Sequence, residues 1–172
     1  MRPDVAHDFN WGRQFLPEVR SILGRYLIAE APFDEDAQRA TDLIVLRLEA
    51  VRIAVRIRRA EHEASYGGEF TLRASRPSGA ETELAKVIAG WGDYMFYGFG
   101  GDDGRLGAWV LGDLRVFRLW HASQMMRLPE RQFPGKALPN RDGSSTFHAF
   151  RIDDLPSSFA VARKHARQRA AA

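Results

Sequence analysis

Arg56 and Arg58 are the first residues in this chain whose type and spacing suggest chemistry. Side chains alternate along a strand, so over 51–58 Arg52, Ala54, Arg56 and Arg58 share one side. Val51, Ile53, Val55 and Ile57 share the other. A guanidinium is a planar fork of donors that matches a phosphate better than a compact ammonium does. The strand expected over 69–75 sets Glu69, Thr71, Arg73 and Ser75 opposite Phe70 and Leu72. A hairpin closed at Glu49-Ala50 would place Asp42 opposite Arg58, because a short turn fixes register. A third, antiparallel strand would place Arg58 opposite Glu69, with a slip of two open in either pairing. The helix expected over 80–89 adds Glu83, with Lys86 one turn on along the same side. The expectation is a polar cluster of Asp42, Arg56, Arg58, Glu69, Thr71 and Arg73 on a sheet face that a helix or a ligand must cover.

The elements that must position these side chains follow from periodicity. Leu16, Val19, Ile22, Leu23, Tyr26 and Leu27 recur at helical spacing and predict a first helix over 16–28. Pro17 fits its first turn, which puts Glu18 near the helix start. Residues 30–40 read as a loop. Strands are expected over 42–48, 51–58 and 69–75, the last two joined by a polar loop holding Gly67-Gly68. Ser78 and Glu81 form a capping-box pattern before the helix over 80–89, whose buried stripe is Ala80, Leu84, Val87 and Ile88. Gly90 is its stop. "DYMFYGF" reads as a fourth strand, parallel to a neighbour through a crossover. "GGDDG" reads as a hairpin turn, and 106–120 as one or two strands broken near Gly112-Asp113. Residues 121–143 read as irregular, 145–152 as a last strand, and 157–169 as a basic C-terminal helix capped by Ser157. The expected organisation is one α/β domain over 1–156 followed by a basic helix or tail over 157–172.

Composition limits the function classes. The 172 residues carry 25 Lys+Arg and 22 Asp+Glu, a net charge of +3. Only Lys86, Lys136 and Lys164 are lysines, so the positive charge is almost all arginine. The last residues hold Arg163, Lys164, Arg167 and Arg169 with no acid among them, a pattern that touches nucleic acid or forms a solvated end. No Cys is present, which excludes disulfides and cysteine zinc sites. No run of eighteen apolar residues suggests a membrane span. The opening "MRPDVAHDFNWGR" has no apolar signal-peptide core, so cytoplasmic residence is expected.

Over 16–99 the order helix, three strands, helix, strand resembles the PD-(D/E)xK nuclease superfamily. In that superfamily a helix carries a Glu, a strand opens with Pro-Asp, and the next strand carries Asp/Glu-x-Lys. "ATDLIVL" is similar to the Pro-Asp strand, with Thr41 in place of Pro, and "AVRIRR" is similar to the Glu-x-Lys strand. Glu18 matches the helix Glu. The resemblance implies a restriction-endonuclease-like fold: a mixed central sheet flanked by helices. It also implies a nucleic-acid substrate, DNA ahead of RNA, and phosphodiester hydrolysis with Mg²⁺. Dimers are common in the superfamily. Arg56-Ile57-Arg58 stands where the family has Glu-x-Lys, and Arg56 there would repel Mg²⁺. The implied metal ligands are then Asp42 with Glu83 or Glu69. Lys86 would orient water, Arg56, Arg58 and Arg73 would hold phosphates, and Glu18 is a further member of the site. One alternative is a catalytically inactive relative that binds DNA or a host defence protein. Another is a protein-binding accessory or virion component. The stretch 40–99, above all "EFTLRASRPSGAETELAKVIAGWGDYMFYGF", also resembles a group of phage and prophage proteins, which implies action in a bacterial host cell.

The remaining candidates read as structural. His7, His62, His121, His148 and His165 lie in different segments without ligand spacing. Ser144-Ser145 and His148 lack a nucleophile elbow. "GFGGDDG" lacks the Lys-Ser/Thr ending of a phosphate loop. Trp91, Tyr94, Phe96, Tyr97 and Phe99 form an aromatic run expected mainly in the core, with Tyr94 or Tyr97 the candidates for stacking on a base.

Overall fold

The computed structural model describes residues 11–30, 43–45, 51–129, 132–140 and 142–165, with the side chains of 26–30 and 43–45 left out. Helix α1 spans Leu16–Leu27, where the helical spacing places it, with Glu18 in its first turn. Strands β1 (Ile28–Glu30) and β2 (Leu43–Val45) pair antiparallel, Ala29 opposite Ile44. Asp42 lies outside the described residues.

Strand β3 (Ile53–Arg59) does not pair with β2 among the described residues. It runs parallel to β5 (Tyr94–Gly100), Arg56 beside Tyr97. The parallel crossover expected for "DYMFYGF" is therefore present, while the hairpin expected between 42–48 and 51–58 is replaced by the β1–β2 pairing. β5 turns through 101–105 into β6 (Leu106–Asp113), which pairs antiparallel with it. The turn is closed by hydrogen bonds between Gly101 and Arg105 and between Gly104 and Gly101.

The link from β3 to β4 (Glu69–Ser75) is also not the expected loop. A 3₁₀ turn over Ala60–His62 runs into a short helix, α2 (Glu63–Tyr66), and carries the chain to a second sheet. There β4 pairs with β8 (Thr146–Arg151), and β8 with β7 (Lys136–Pro139), both antiparallel. Glu69 thus faces Arg151 across the ladder, not Arg58. Helix α3 (Glu83–Ile88) is capped by Thr82, whose Oγ1 accepts from Ala85 N at 3.3 Å. The Ser78–Glu81 box expected there does not form. Gly79 turns the chain at φ +68° between Ser78 and the helix, a conformation glycine adopts freely. Leu84 and Val87 are buried on α3, whereas Ala80 and Ile88 are exposed.

Two corrections concern the C-terminal half. Residues 114–127 form helix α4 (Leu114–Arg127), where strand and irregular chain were expected. Leu114, Phe117 and His121 supply its buried face at helical spacing. Asp113 is its N-cap, accepting from Arg115 N at 2.7 Å and Val116 N at 3.4 Å. The C-terminal helix expected from 157 is instead a 3₁₀ turn, Ser157–Phe159, leading into strand β9 (Ala160–Lys164), which pairs antiparallel with β6. Phe159 sits in the core and ties this segment down.

The first sheet is thus mixed, in the order β3-β5-β6-β9, and the second has the order β4-β8-β7. One face of the first sheet packs under α1, with Phe15, Val19 and Leu23 against Phe96, Leu106 and Leu111. The other face meets the second sheet, α3 and α4 around Phe70, Phe117, Phe150 and Phe159. Phe70 stacks on Phe150 and on Phe159, each at 5.3 Å between centroids, so the two sheets and the C-terminal turn share one aromatic centre. Among the described residues no helix is long and apolar enough to cross a membrane.

Candidate functional site

β3 and β4 are each an edge strand of their own sheet among the described residues, and side chains of β3 reach across to β4. Alternation points Arg56 and Arg58 inward across that seam, as the sequence predicts. Arg58 donates to Thr71 Oγ1 at 2.9 Å and reaches Tyr97 Oη at 3.4 Å, while the Thr71 and Tyr97 hydroxyls lie 3.2 Å apart. Arg56 donates to the Thr71 carbonyl at 3.4 Å and is ion-paired with Glu83. Glu83 Oε2 also accepts the Arg73 amide at 3.2 Å. The ion pair therefore occupies the outward C=O of Thr71 and the outward N–H of Arg73, the groups through which a bare strand edge recruits another strand.

The Arg73 side chain continues the seam. Its guanidinium and that of Arg56 each lie 5.1 Å from the centre of the Phe147 ring. Arg73 Nε is buried with no hydrogen-bond partner among the described residues. Burial lowers the Arg73 pKa below the usual arginine value. Repulsion from Arg76 and then Arg56 lowers it further, against an opposing pull from Glu83.

Next to this seam runs a groove of about 450 Å³ between the start of β3, α3 and α4. Arg52, Arg76 and Lys86 line it, together with Glu81 and Glu83. Ile53, Ala54, Val87 and Leu114 give it an apolar floor, and Trp91 stands at its wall, 64% exposed.

The predicted site residues are thus divided among three places. Arg56, Arg58, Thr71, Arg73 and Glu83 come together, and Lys86 borders them along the groove. Glu69 lines a separate cavity of about 420 Å³ with Trp120, Lys136 and Arg151. Glu18 lines a third, of about 690 Å³, with Glu63, Arg105 and Lys164. There its Oε2 accepts the Leu106 amide at 3.1 Å, much as Glu63 Oε1 accepts the Ala108 amide at 3.1 Å. Two cations expected of a basic tail lie in β9 and have partners outside it: Arg163 donates to Asp153 at 3.1 Å and Lys164 to the Leu106 carbonyl at 3.0 Å. Arg167 and Arg169 lie outside the described residues. Among the described residues no three His, Asp or Glu side chains gather as a metal cluster.

Of the aromatic run, Phe96, Tyr97 and Phe99 are buried, and Tyr94 packs beside the α1 cluster. Trp91 is the exposed member, and the sequence does signal it, since it follows the helix stop at Gly90. Compared with protein-family models, curated proteins and solved structures, the chain has no significant match.

Proposed function

We propose that this chain is a nucleic-acid-binding protein of nuclease-like fold that grips phosphates along the β3–α3 groove. The observation that carries this reading is the cation lining of the groove, Arg52, Arg76 and Lys86, with the crowded Arg73 beside it. Its guanidinium is partly desolvated between Arg76 and Arg56, with Glu83 as the opposing charge. Arg52, Arg76 and Lys86 have no ion-pair partner among the described residues, so they are available to an anion in the groove.

The hydrolytic version of this reading needs Mg²⁺ held by Asp42 and Glu83 or Glu69. Glu69 belongs to another cavity, and Glu83 is already engaged by Arg56 and by the Arg73 amide. That engagement favours a protein that binds without cutting; its likeness to phage proteins supports action in the cytoplasm of a bacterial host.

Fluorescence anisotropy with labelled DNA at low salt tests the reading. Affinity should fall steeply as salt rises, and Arg73→Ala and Arg76→Ala should each reduce the salt slope by about 1. Absence of binding at low salt would favour a protein partner. Cleavage with Mg²⁺ that is lost in Asp42→Ala would restore the hydrolase.

A further inference from the structure

The groove carries more than phosphate chemistry, because an aromatic ring stands in its wall. The chain leaves α3 through a tight left-handed turn in which Gly90 N donates to the Val87 carbonyl at 3.1 Å and Trp91 N to the Lys86 carbonyl at 3.0 Å. Gly90 has φ +99° and Gly92 φ +80°, so two glycines bracket the tryptophan in a conformation other residues rarely adopt. Helix ends of this kind commonly bury the residue after the glycine against the last turn. Here the side chain available one turn back is Lys86, and Trp91 stays 64% exposed. A large rigid ring is thereby held out on fixed backbone beside Arg52, Arg76 and Lys86.

We propose that the groove takes single-stranded nucleic acid, with Trp91 as the stacking platform for one base and Arg52, Arg76 and Lys86 holding the flanking phosphates. This inference rests on the phosphate-binding reading above and adds the strand state of the ligand. Charge complementarity favours a polyanion. Three cations face two carboxylates, one of which, Glu83, is taken by Arg56. The apolar floor favours a ligand with a flat unpaired face, which a duplex does not offer because its bases are stacked on one another. A stacked base is worth about 1–3 kcal/mol by alanine substitution, or about 5- to 150-fold in affinity.

The test compares a labelled oligo-dT, an oligo-rU of the same length and a duplex by anisotropy at fixed low salt. The proteins are the full chain, Trp91→Ala, Trp91→Phe and Arg76→Ala. Trp91→Ala should weaken both single strands at least about fivefold, leave the duplex unchanged and keep the salt slope. Trp91→Phe should retain most of the affinity. Arg76→Ala should weaken all three ligands and flatten the salt slope. A Trp91→Ala protein that binds every ligand as the parent does would overturn the stacking platform while leaving phosphate binding intact. Failure of the parent to bind any of the three at low salt would overturn both.

Discussion

Arg56 and Glu83 form an ion pair laid over the open edge of β4, the arginine donating to the Thr71 carbonyl and the glutamate accepting the Arg73 amide. The pair thus ties β3 to α3 and both to the backbone of β4. Both side chains are partly exposed, at 25% and 36%, so solvent screens their attraction. Their value lies in satisfying two backbone groups. Arg56→Ala and Glu83→Ala should each destabilise the fold by about 1 kcal/mol. A double-mutant cycle read by urea unfolding should return a coupling of about 0.5–1 kcal/mol. A coupling of zero would mean that the pair does not guard the edge.

How far the sequence reveals this site depends on which physical rule is used. Alternation along β3 and β4 correctly brings Arg56, Arg58, Thr71 and Arg73 together, because side-chain direction is a local property. Register read from loop lengths fails. The link after Arg59 folds into α2 and carries β4 to another sheet, so Glu69 meets Arg151 instead of Arg58. Glu83 joins the cluster from the helix, as expected, but its partners there, Arg56 and the Arg73 amide, are set by the tertiary packing of α3. The stretch 114–127 misleads for a different reason: its Val, Phe and Trp have high strand propensity, and the capping role of Asp113 outweighs it.

That cap gives an acid-stability prediction. Burial alone would raise the Asp113 pKa, but hydrogen bonds from the Arg115 side chain and amide, its charge and the Val116 amide bring it below the usual 3.8. A depressed carboxylate contributes stability that is present above its unfolded value, near 3.8, and is lost as pH falls through the lower folded value. Asp113→Asn keeps a capping oxygen and should flatten unfolding free energy over that acid window. Asp113→Ala should lose about 1 kcal/mol at neutral pH. Unfolding curves at pH 7 and near pH 3 separate the two.

His121 should govern a milder window. Burial and then the neighbouring His148 lower its pKa below 6.5, and its Nε2 is buried without a partner among the described residues. The folded protein therefore holds the neutral ring, against Phe117 and Phe150. Stability is fully present above the unfolded value of about 6.5 and declines as pH falls below it, until the folded pKa is reached. The slope approaches at most about 1.4 kcal/mol per pH unit. His121→Leu should remove this slope between pH 7.5 and 5.5 and leave neutral-pH stability equal or higher, since an orphaned nitrogen is no longer buried. An unchanged slope would mean that His121 does not carry this titration.

Gly112 shows why β9 returns to the sheet instead of continuing as a helix. A Cβ at position 112 would sit 2.3 Å from Cζ of Phe159, whose ring is fully buried against Phe70 and Phe117. The missing side chain is what lets Phe159 enter the core and anchor the chain just before it pairs with β6. Gly112→Ala should therefore destabilise by about 1–3 kcal/mol, the usual penalty of overpacking a filled core. Gly24 is the control. It lies inside α1 with nothing among the described residues within 4 Å of an added Cβ, so Gly24→Ala should stabilise by roughly 0.5–1 kcal/mol through helix propensity alone. Thermal unfolding of the two variants should move in opposite directions. A Gly112→Ala protein as stable as the parent would mean that Phe159 does not occupy this position.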